Sequence, residues 1–179
     1  MLRRAMEIAP DNARPGIELA ALQRAAGNNA AAFETLAALA ETAPASIPLI
    51  ARPLTQAALA CGERARAREI LRASYELSPA LDVLEGIVAL EPDAQEARAW
   101  YVRHLRREPS LVAASKWLAS EKLEHDEFHP QVQAALEHAV KPLTRYRCAA
   151  CGFEAKQHFW QCPGCQAWDS YPARRVEEL

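Results

Sequence analysis

Apolar and small side chains recur every three or four residues along most of the chain, a pattern typical of helices that bury one face. Four of these segments are closed by prolines that lie 34, 35 and 30 residues apart, namely Pro10, Pro44, Pro79 and Pro109. Proline ends a helix because it lacks an N–H group and clashes with the preceding turn. The regular spacing therefore predicts a repeated helical unit.

Two packing positions occur at the same distance before the closing proline in successive units. A small residue lies twelve positions before the proline and a large one lies eight before it: Ala32 with Leu36, Ala67 with Leu71, and Ala97 with Tyr101. Residues four apart share a helix face, so the alanine allows close approach of a second helix and the larger side chain fills the same face. Gly27 and Gly62 are predicted to cap the helices that precede these segments.

A helix–turn–helix unit of about 34 residues with these marks resembles the tetratricopeptide repeat. The first helices depart from that pattern, since only the large–small pair Leu19-Ala20 survives, and the third unit is about four residues short. An ordinary helical bundle is the alternative. Counting back from Pro10 places Leu2 and Ala5 in a second helix, so we expect the sequence to open within a repeat of a longer protein. Segments 110–123 and 129–143 are predicted as the last helices.

Four of the five cysteines form two Cys-x-x-Cys pairs near the end of the chain, with ten residues between the pairs: Cys148, Cys151, Cys162 and Cys165. Two such turns can complete the tetrahedron of thiolates that holds one zinc or iron ion, and the ligands alone do not distinguish the metals. Two disulfides or four buried thiols are the alternative. Gly152 and Pro163-Gly164 provide the turns. The remaining cysteine, Cys61, is predicted to be a small packed residue outside the site.

The fold class that we predict is all-α, a tetratricopeptide-like superhelix of helical hairpins over residues 1–142 with a small C-terminal zinc ribbon over residues 143–179, which resembles rubredoxin. The ribbon is too short for an independent core, so the metal would supply its folding energy. Aromatic side chains surround the cysteines and form either a mini-core or a docking face, while His158 is expected to face solvent. The aromatic residues are Phe153, Phe159, Trp160 and Trp168.

Composition and motifs argue against several function classes. Lys+Arg 21 nearly balance Asp+Glu 23, so no strong basic field favours nucleic acid. The start lacks an apolar secretory core, and no apolar run of about 18 residues could span a bilayer, so we expect a cytoplasmic location. A closed four-thiolate site leaves no open position for a substrate, and the histidines show no catalytic spacing. We therefore expect no enzyme activity.

The tail "YRCxxCGF…WxCPxCxAW" after helical repeats resembles the lipopolysaccharide assembly protein B family. The resemblance implies that Cys148, Cys151, Cys162 and Cys165 are metal ligands. It also implies an adaptor that presents a lipid A pathway deacetylase to a membrane-bound AAA+ protease. Such a protein would be anchored to the bacterial inner membrane, facing the cytoplasm, through a segment absent from this sequence. Lipopolysaccharide itself is a further candidate ligand, and no nucleic acid is expected.

Partner binding is predicted on the concave face that the first helices of stacked hairpins form. By repeat register, the inward positions are Arg14, Ile17, Arg24, Arg52 and Gln56. A nucleic-acid-binding zinc ribbon and a rubredoxin-like electron-transfer module are the alternative functions.

The ribbon is also expected to clip onto the last helices. Only "KPLTRY" separates them from Cys148, a connection that spans less than about 20 Å even when extended. Phe159 and Trp160 are predicted to be covered by helical residues near Trp117 and Leu136.

Overall fold

The computed structural model describes residues 1–120 and 128–179, which contain helices throughout and a small two-stranded ribbon near the C-terminus. The helices are α1 Leu2–Ile8, α2 Ala13–Ala25, α3 Asn29–Thr42, α4 Ile47–Cys61, α5 Arg64–Leu77, α6 Leu81–Leu90, α7 Ala94–Arg107, α8 Leu111–Ser120 and α9 His129–Val140. The strands are β1 Tyr146–Arg147 and β2 Glu154–Ala155, and short 3-10 turns cover Pro44–Ser46 and Val176–Glu178. The predicted helical-hairpin fold with a C-terminal ribbon is confirmed.

The described residues form two compact units, 1–92 and 93–179. Helices α1–α6 make the first unit, and α7–α9 belong to the second unit together with the ribbon. The predicted domain boundary between residues 142 and 143 lies inside the second unit and stays a prediction.

Helix boundaries follow the prolines and caps of the sequence. Helices α1, α3, α5 and α7 each end two residues before one of the four spaced prolines. Gly62 closes α4 with a φ of 84°, and Gly27 follows α2 with a φ of 77°, a left-handed backbone that glycine adopts without steric cost. At the other end, the Asn28 side chain accepts a hydrogen bond from the Ala31 amide at 3.2 Å and caps α3.

The core of the first unit lies between successive hairpins. Helix α3 packs against α2 and α4, and α6 packs against α4 and α5. The predicted packing pairs Ala32 with Leu36 and Ala67 with Leu71 are completely buried, as are Phe33, Tyr75 and Ile87. A Cβ atom on Gly86 would lie only 2.7 Å from Leu71 Cδ1, so this glycine allows α6 to approach its neighbours closely.

A buried carboxylate joins α5 to the end of α6. Glu91 accepts hydrogen bonds from Arg72 at 2.8 Å and from Arg68 at 3.3 Å, and its side chain is only 6% exposed. By contrast, the Arg66–Glu34 pair between α5 and α3 is exposed on both sides.

Helix α8 packs against α7 and α9 in the second unit. Trp100, Tyr101 and Val112 are buried there, while Ala97, the predicted partner of Tyr101, is only half-buried. The predicted helix over 110–123 is observed as α8, and its last three positions lie outside the described residues.

None of the helices in residues 1–120 and 128–179 combines the length and the apolar character that a bilayer crossing requires.

Candidate metal centre

A two-residue strand pair places the first cysteine turn. Strands β1 and β2 are antiparallel, with Tyr146 opposite Ala155 and Arg147 opposite Glu154. The Arg147 guanidinium donates to the Glu154 carboxylate at 2.7 Å and 3.0 Å, which fixes the same register from the side chains. Because Cys148 follows β1 directly, the turn between the strands carries the first two cysteines.

The first turn closes through backbone hydrogen bonds around Cys148. Its N–H donates to the Phe153 carbonyl at 2.9 Å, and its own carbonyl accepts from the Gly152 amide at 2.8 Å. Gly152 follows the second cysteine with a φ of 77°, a left-handed backbone that glycine adopts without steric cost, and so provides this turn as predicted.

The second turn repeats this geometry with a different residue at the left-handed position. Cys162 N–H donates to the Ala167 carbonyl at 2.9 Å, and the Gln166 amide donates to the Cys162 carbonyl at 2.8 Å. Gln166 has a φ of 61° where the first turn has glycine. The Gly164 amide also donates to Cys162 Sγ at 3.4 Å. The second turn therefore carries backbone strain that the first avoids.

The four sulfur atoms converge. They all lie within 4.8 Å of one another, with Cys148 Sγ 3.8 Å from Cys165 Sγ and Cys151 Sγ 3.7 Å from Cys162 Sγ. A tetrahedron with metal–sulfur bonds of about 2.3 Å has edges of about 3.8 Å, so the cluster fits one tetrahedral ion. The chemistry of this donor set accepts zinc or iron.

Each turn contributes one buried and one exposed sulfur ligand. Cys148 and Cys162 are 1% and 0% exposed, whereas Cys151 and Cys165 are exposed. The site therefore reaches the protein surface along one edge, although its four protein ligands complete the coordination of a tetrahedral ion.

The surroundings of Cys148 and Cys151 shift the pKa values of these two thiols in opposite directions. The Ser170 hydroxyl, 3.2 Å from Cys148 Sγ, and the Cys151 amide lower the pKa of the Cys148 thiol to about 6. At Cys151 the Phe153 amide acts in the same direction, but the neighbouring Cys165 thiol and burial together raise the pKa to about 12. The crowded thiols thus resist full ionisation by themselves, and a divalent cation supplies the charge that four thiolates need.

Aromatic side chains support the cluster from its buried side. The Tyr171 hydroxyl donates to the Phe153 carbonyl at 3.1 Å and lies 3.9 Å from Cys162 Sγ. Burial, with the nearby Cys162 thiol, raises the pKa of Tyr171 to about 12. Sequence reasoning missed Tyr171, Tyr146 and Ser170, because only their position in space relates them to the cysteines.

The expectation that His158 faces solvent is wrong. Its Nε2 lies 3.0 Å from the Tyr171 carbonyl oxygen, and its ring makes edge contacts with Tyr146, Trp160 and Tyr171. Burial lowers the pKa of His158. Packing in an aromatic cluster explains the placement, since a neutral imidazole offers both an apolar ring and one hydrogen bond.

The predicted mini-core forms only in part. Phe159 packs edge-on against Tyr171 with ring centroids 6.0 Å apart, and Trp160 contacts His158. Phe153 and Trp168 are 44% and 55% exposed. The predicted cover of Phe159 and Trp160 by residues near Trp117 and Leu136 stays a prediction.

Cys61 ends α4 in the first unit, half-buried with its sulfur 4.0 Å from the Ala58 carbonyl oxygen. It is not one of the four clustered cysteines.

Two of the predicted partner-binding residues bond to each other. Arg24 on α2 donates from Nη2 to Gln56 Oε1 on α4 at 2.6 Å, which places these positions side by side on neighbouring first helices. Arg14 and Arg52 are exposed and Ile17 is half-buried. Partner binding by these residues stays a prediction.

Comparison with known proteins agrees with this geometry. Residues 146–171 match a family described as a rubredoxin metal binding domain. Lipopolysaccharide assembly protein B from Escherichia coli K12, from strain O6:H1 CFT073 and from O157:H7 is in each case 27% identical to this chain over 127 residues. The match covers 66% of this chain but only 33% of each relative, so it spans a third of their length. The predicted resemblance is confirmed.

Proposed function

We propose that this chain is a non-catalytic adaptor that acts in lipopolysaccharide assembly, with helical hairpins that bind protein partners and a structural metal ribbon. The similarity to lipopolysaccharide assembly protein B suggests the process. The observation that carries the non-catalytic part of this proposal is the convergence of four cysteine sulfurs within 4.8 Å, and the helical hairpins are of a kind suited to protein binding. Four protein ligands complete a tetrahedron and leave no position for a reacting water or substrate.

The partners in this proposal are those that the family resemblance implies. The chain would present a deacetylase of the lipid A pathway to a membrane-bound AAA+ protease on the cytoplasmic face of the inner membrane. Its contact surface would be the face of α2 and α4 that carries Arg14, Ile17, Arg24, Arg52 and Gln56. The Arg24–Gln56 hydrogen bond supports this surface, because it joins the two first helices on which the predicted residues lie.

A charge reversal on this face tests the proposal. Arg52→Glu in the tagged full-length protein is expected to reduce capture of the deacetylase or the protease by at least about tenfold, as loss of a central charged contact commonly does. Arg64→Glu is the matched control, since Arg64 is another exposed arginine of the first unit but lies on α5, outside the predicted face. Equal capture by wild type, Arg52→Glu and Arg64→Glu would contradict binding at this face.

Electron transfer is a second candidate function, and the exposure of Cys151 and Cys165 favours it. An electron-transfer site requires iron that cycles between oxidation states, whereas a structural ribbon works equally well with zinc. Full activity in cells of a protein that carries only zinc would exclude this candidate. Loss of activity on exchange of iron for zinc would support it.

A further inference from the structure

The C-terminal tail that follows the ribbon returns to the start of α8. The Glu177 carboxylate accepts hydrogen bonds from the Leu111 amide at 2.6 Å, the Ser110 hydroxyl at 2.7 Å and the Val112 amide at 3.2 Å. Ser110 Oγ in turn accepts from the Ala113 amide at 2.9 Å. The first three amides of α8 are thus satisfied, two of them by a residue more than 60 positions later in the chain.

The Glu177 carboxylate lies at the N-terminus of α8. The first amides of a helix have no partner within the helix, and they form the positive end of its dipole. Ser110 and Val112 are 8% and 2% exposed, so water is a poor substitute for Glu177 at these two donors, whereas the Leu111 bond is exposed. Loss of Glu177 would leave buried donors without an acceptor, which destabilises the first turn.

Contacts with Tyr146 of the ribbon and with residues 143–145, which lead into it, hold the tail in place. Val176 N–H donates to the Arg145 carbonyl at 2.8 Å, and Arg175 Nη1 donates to the Thr144 carbonyl at 2.8 Å. The Arg175 guanidinium also lies 4.1 Å from the centre of the Tyr146 ring. Tyr146 lies in β1, directly ahead of the first cysteine turn.

The end of the ribbon from which the tail departs is bound to the first cysteine turn. The Ser170 carbonyl accepts from the Ala149 amide, between the first two cysteines, at 2.7 Å. Tyr171, the next residue, donates to the Phe153 carbonyl. The folded ribbon therefore fixes the start of the tail at Tyr171, and Tyr146 together with residues 143–145 fixes it where it approaches α8.

We propose that residues 174–178 are a metal-dependent latch, in which Glu177 caps α8 only while the ribbon is folded around its metal. A segment as small as the ribbon cannot bury enough apolar surface to fold alone, so metal loss unfolds it and releases the tail. The occupancy of the metal site is thereby transmitted to the helices of the second unit. Glu177 acts here as a positioning residue, and the latch does not depend on which partners the protein binds.

Hydrogen exchange measured by mass spectrometry tests the latch on the whole chain. Peptides that cover residues 108–120 are compared in protein loaded with zinc and in protein stripped by a chelator under reducing conditions. Metal removal is expected to accelerate exchange in α8 of the wild type by about fivefold, the factor that loss of a helix N-cap commonly produces. Restored zinc should reverse the change.

Variants show whether the coupling passes through Glu177. Glu177→Ala loaded with zinc should already exchange about fivefold faster in α8 than wild type, and metal removal should add little. Its ribbon peptides, over 146–171, should stay as protected as in wild type, which shows that the ribbon still folds. Glu137→Gln removes one exposed charge from α9 without touching the latch and should behave as wild type.

Two results would overturn the latch. One is unchanged α8 exchange in wild type after metal removal. The other is an equal response to metal removal in wild type and Glu177→Ala, because the coupling would then not run through this carboxylate.

Discussion

The hydroxyl of Tyr171 donates a hydrogen bond to the carbonyl of Phe153 across 3.1 Å and so ties the segment after the second cysteine turn to the residue that closes the first. Phe153 accepts the Cys148 amide with the same carbonyl oxygen. The phenol thus supports the geometry of two turns at once, although it is not a ligand.

Replacement of this phenol is expected to weaken metal binding. Tyr171→Phe keeps the ring and removes the hydrogen bond, and loss of an outer-shell contact of this kind commonly raises the metal dissociation constant about tenfold or more. Competition with a coloured chelator measures the constant. Tyr75→Phe, in the first unit and remote in sequence from the cysteines, is the control and should leave it unchanged.

One metal ion per chain is the second prediction. Protein prepared under reducing conditions should contain about one equivalent of zinc or iron, and Cys162→Ser should lose most of it, because one thiolate of the tetrahedron is gone. Elemental analysis gives the content. Cys61→Ser should retain the full equivalent, and a comparable loss in that variant would mean that the ligand assignment is wrong.

Relief of backbone strain should strengthen the second cysteine turn. Gln166→Gly places glycine at a φ of 61° and is expected to lower the metal dissociation constant about fivefold, since a left-handed backbone costs other residues about 1 kcal/mol. Gly152→Ala, at the equivalent position of the first turn, should shift the constant in the opposite direction. A weaker site in Gln166→Gly, measured by the same chelator competition, would contradict the proposed strain.

Burial should decide how strongly two ion pairs of the first unit stabilise it. Glu91→Ala leaves Arg68 and Arg72 without their shared carboxylate and is expected to cost about 2 kcal/mol in the free energy of unfolding. Glu34→Ala breaks only the exposed pair with Arg66 and should cost less than about 1 kcal/mol. Urea unfolding compares the variants, and equal losses would disprove the distinction.

Acid should destabilise the second unit partly through His104 on α7, which is 2% exposed. Burial lowers the pKa of His104, against the opposing effects of Glu108 and Glu177 and with a small contribution from Arg107. The unfolded chain therefore binds a proton at this histidine more readily than the folded chain does. The stability that neutral His104 contributes is fully present above about pH 6.5 and is lost as the pH falls through the lower pKa of the folded state.

The free energy of unfolding, measured at several values between about pH 7.5 and 5.5, checks this sign. His104→Gln should reduce the slope relative to wild type, while metal loss in acid affects both proteins alike. An identical slope in the two proteins would show that His104 does not contribute.

Much of the helical architecture follows from local signals. The four spaced prolines and the glycines after α2 and α4 predict where helices end, because each acts through its own backbone. The four cysteines likewise predict their own convergence, since two short turns separated by ten residues can place four thiolates around one ion.

Only the tertiary structure shows the roles of residues whose contacts lie far away along the chain. The sequence predicts a solvent-facing His158, because its sequence neighbours give no sign of Tyr146 and Tyr171, whose rings contact it. Glu177 carries no recognisable signal either, since the α8 amides that donate to it lie more than 60 positions earlier in the chain. Backbone preference is a local property that a sequence reveals directly, whereas burial and hydrogen-bond partnership arise only when remote segments fold against each other.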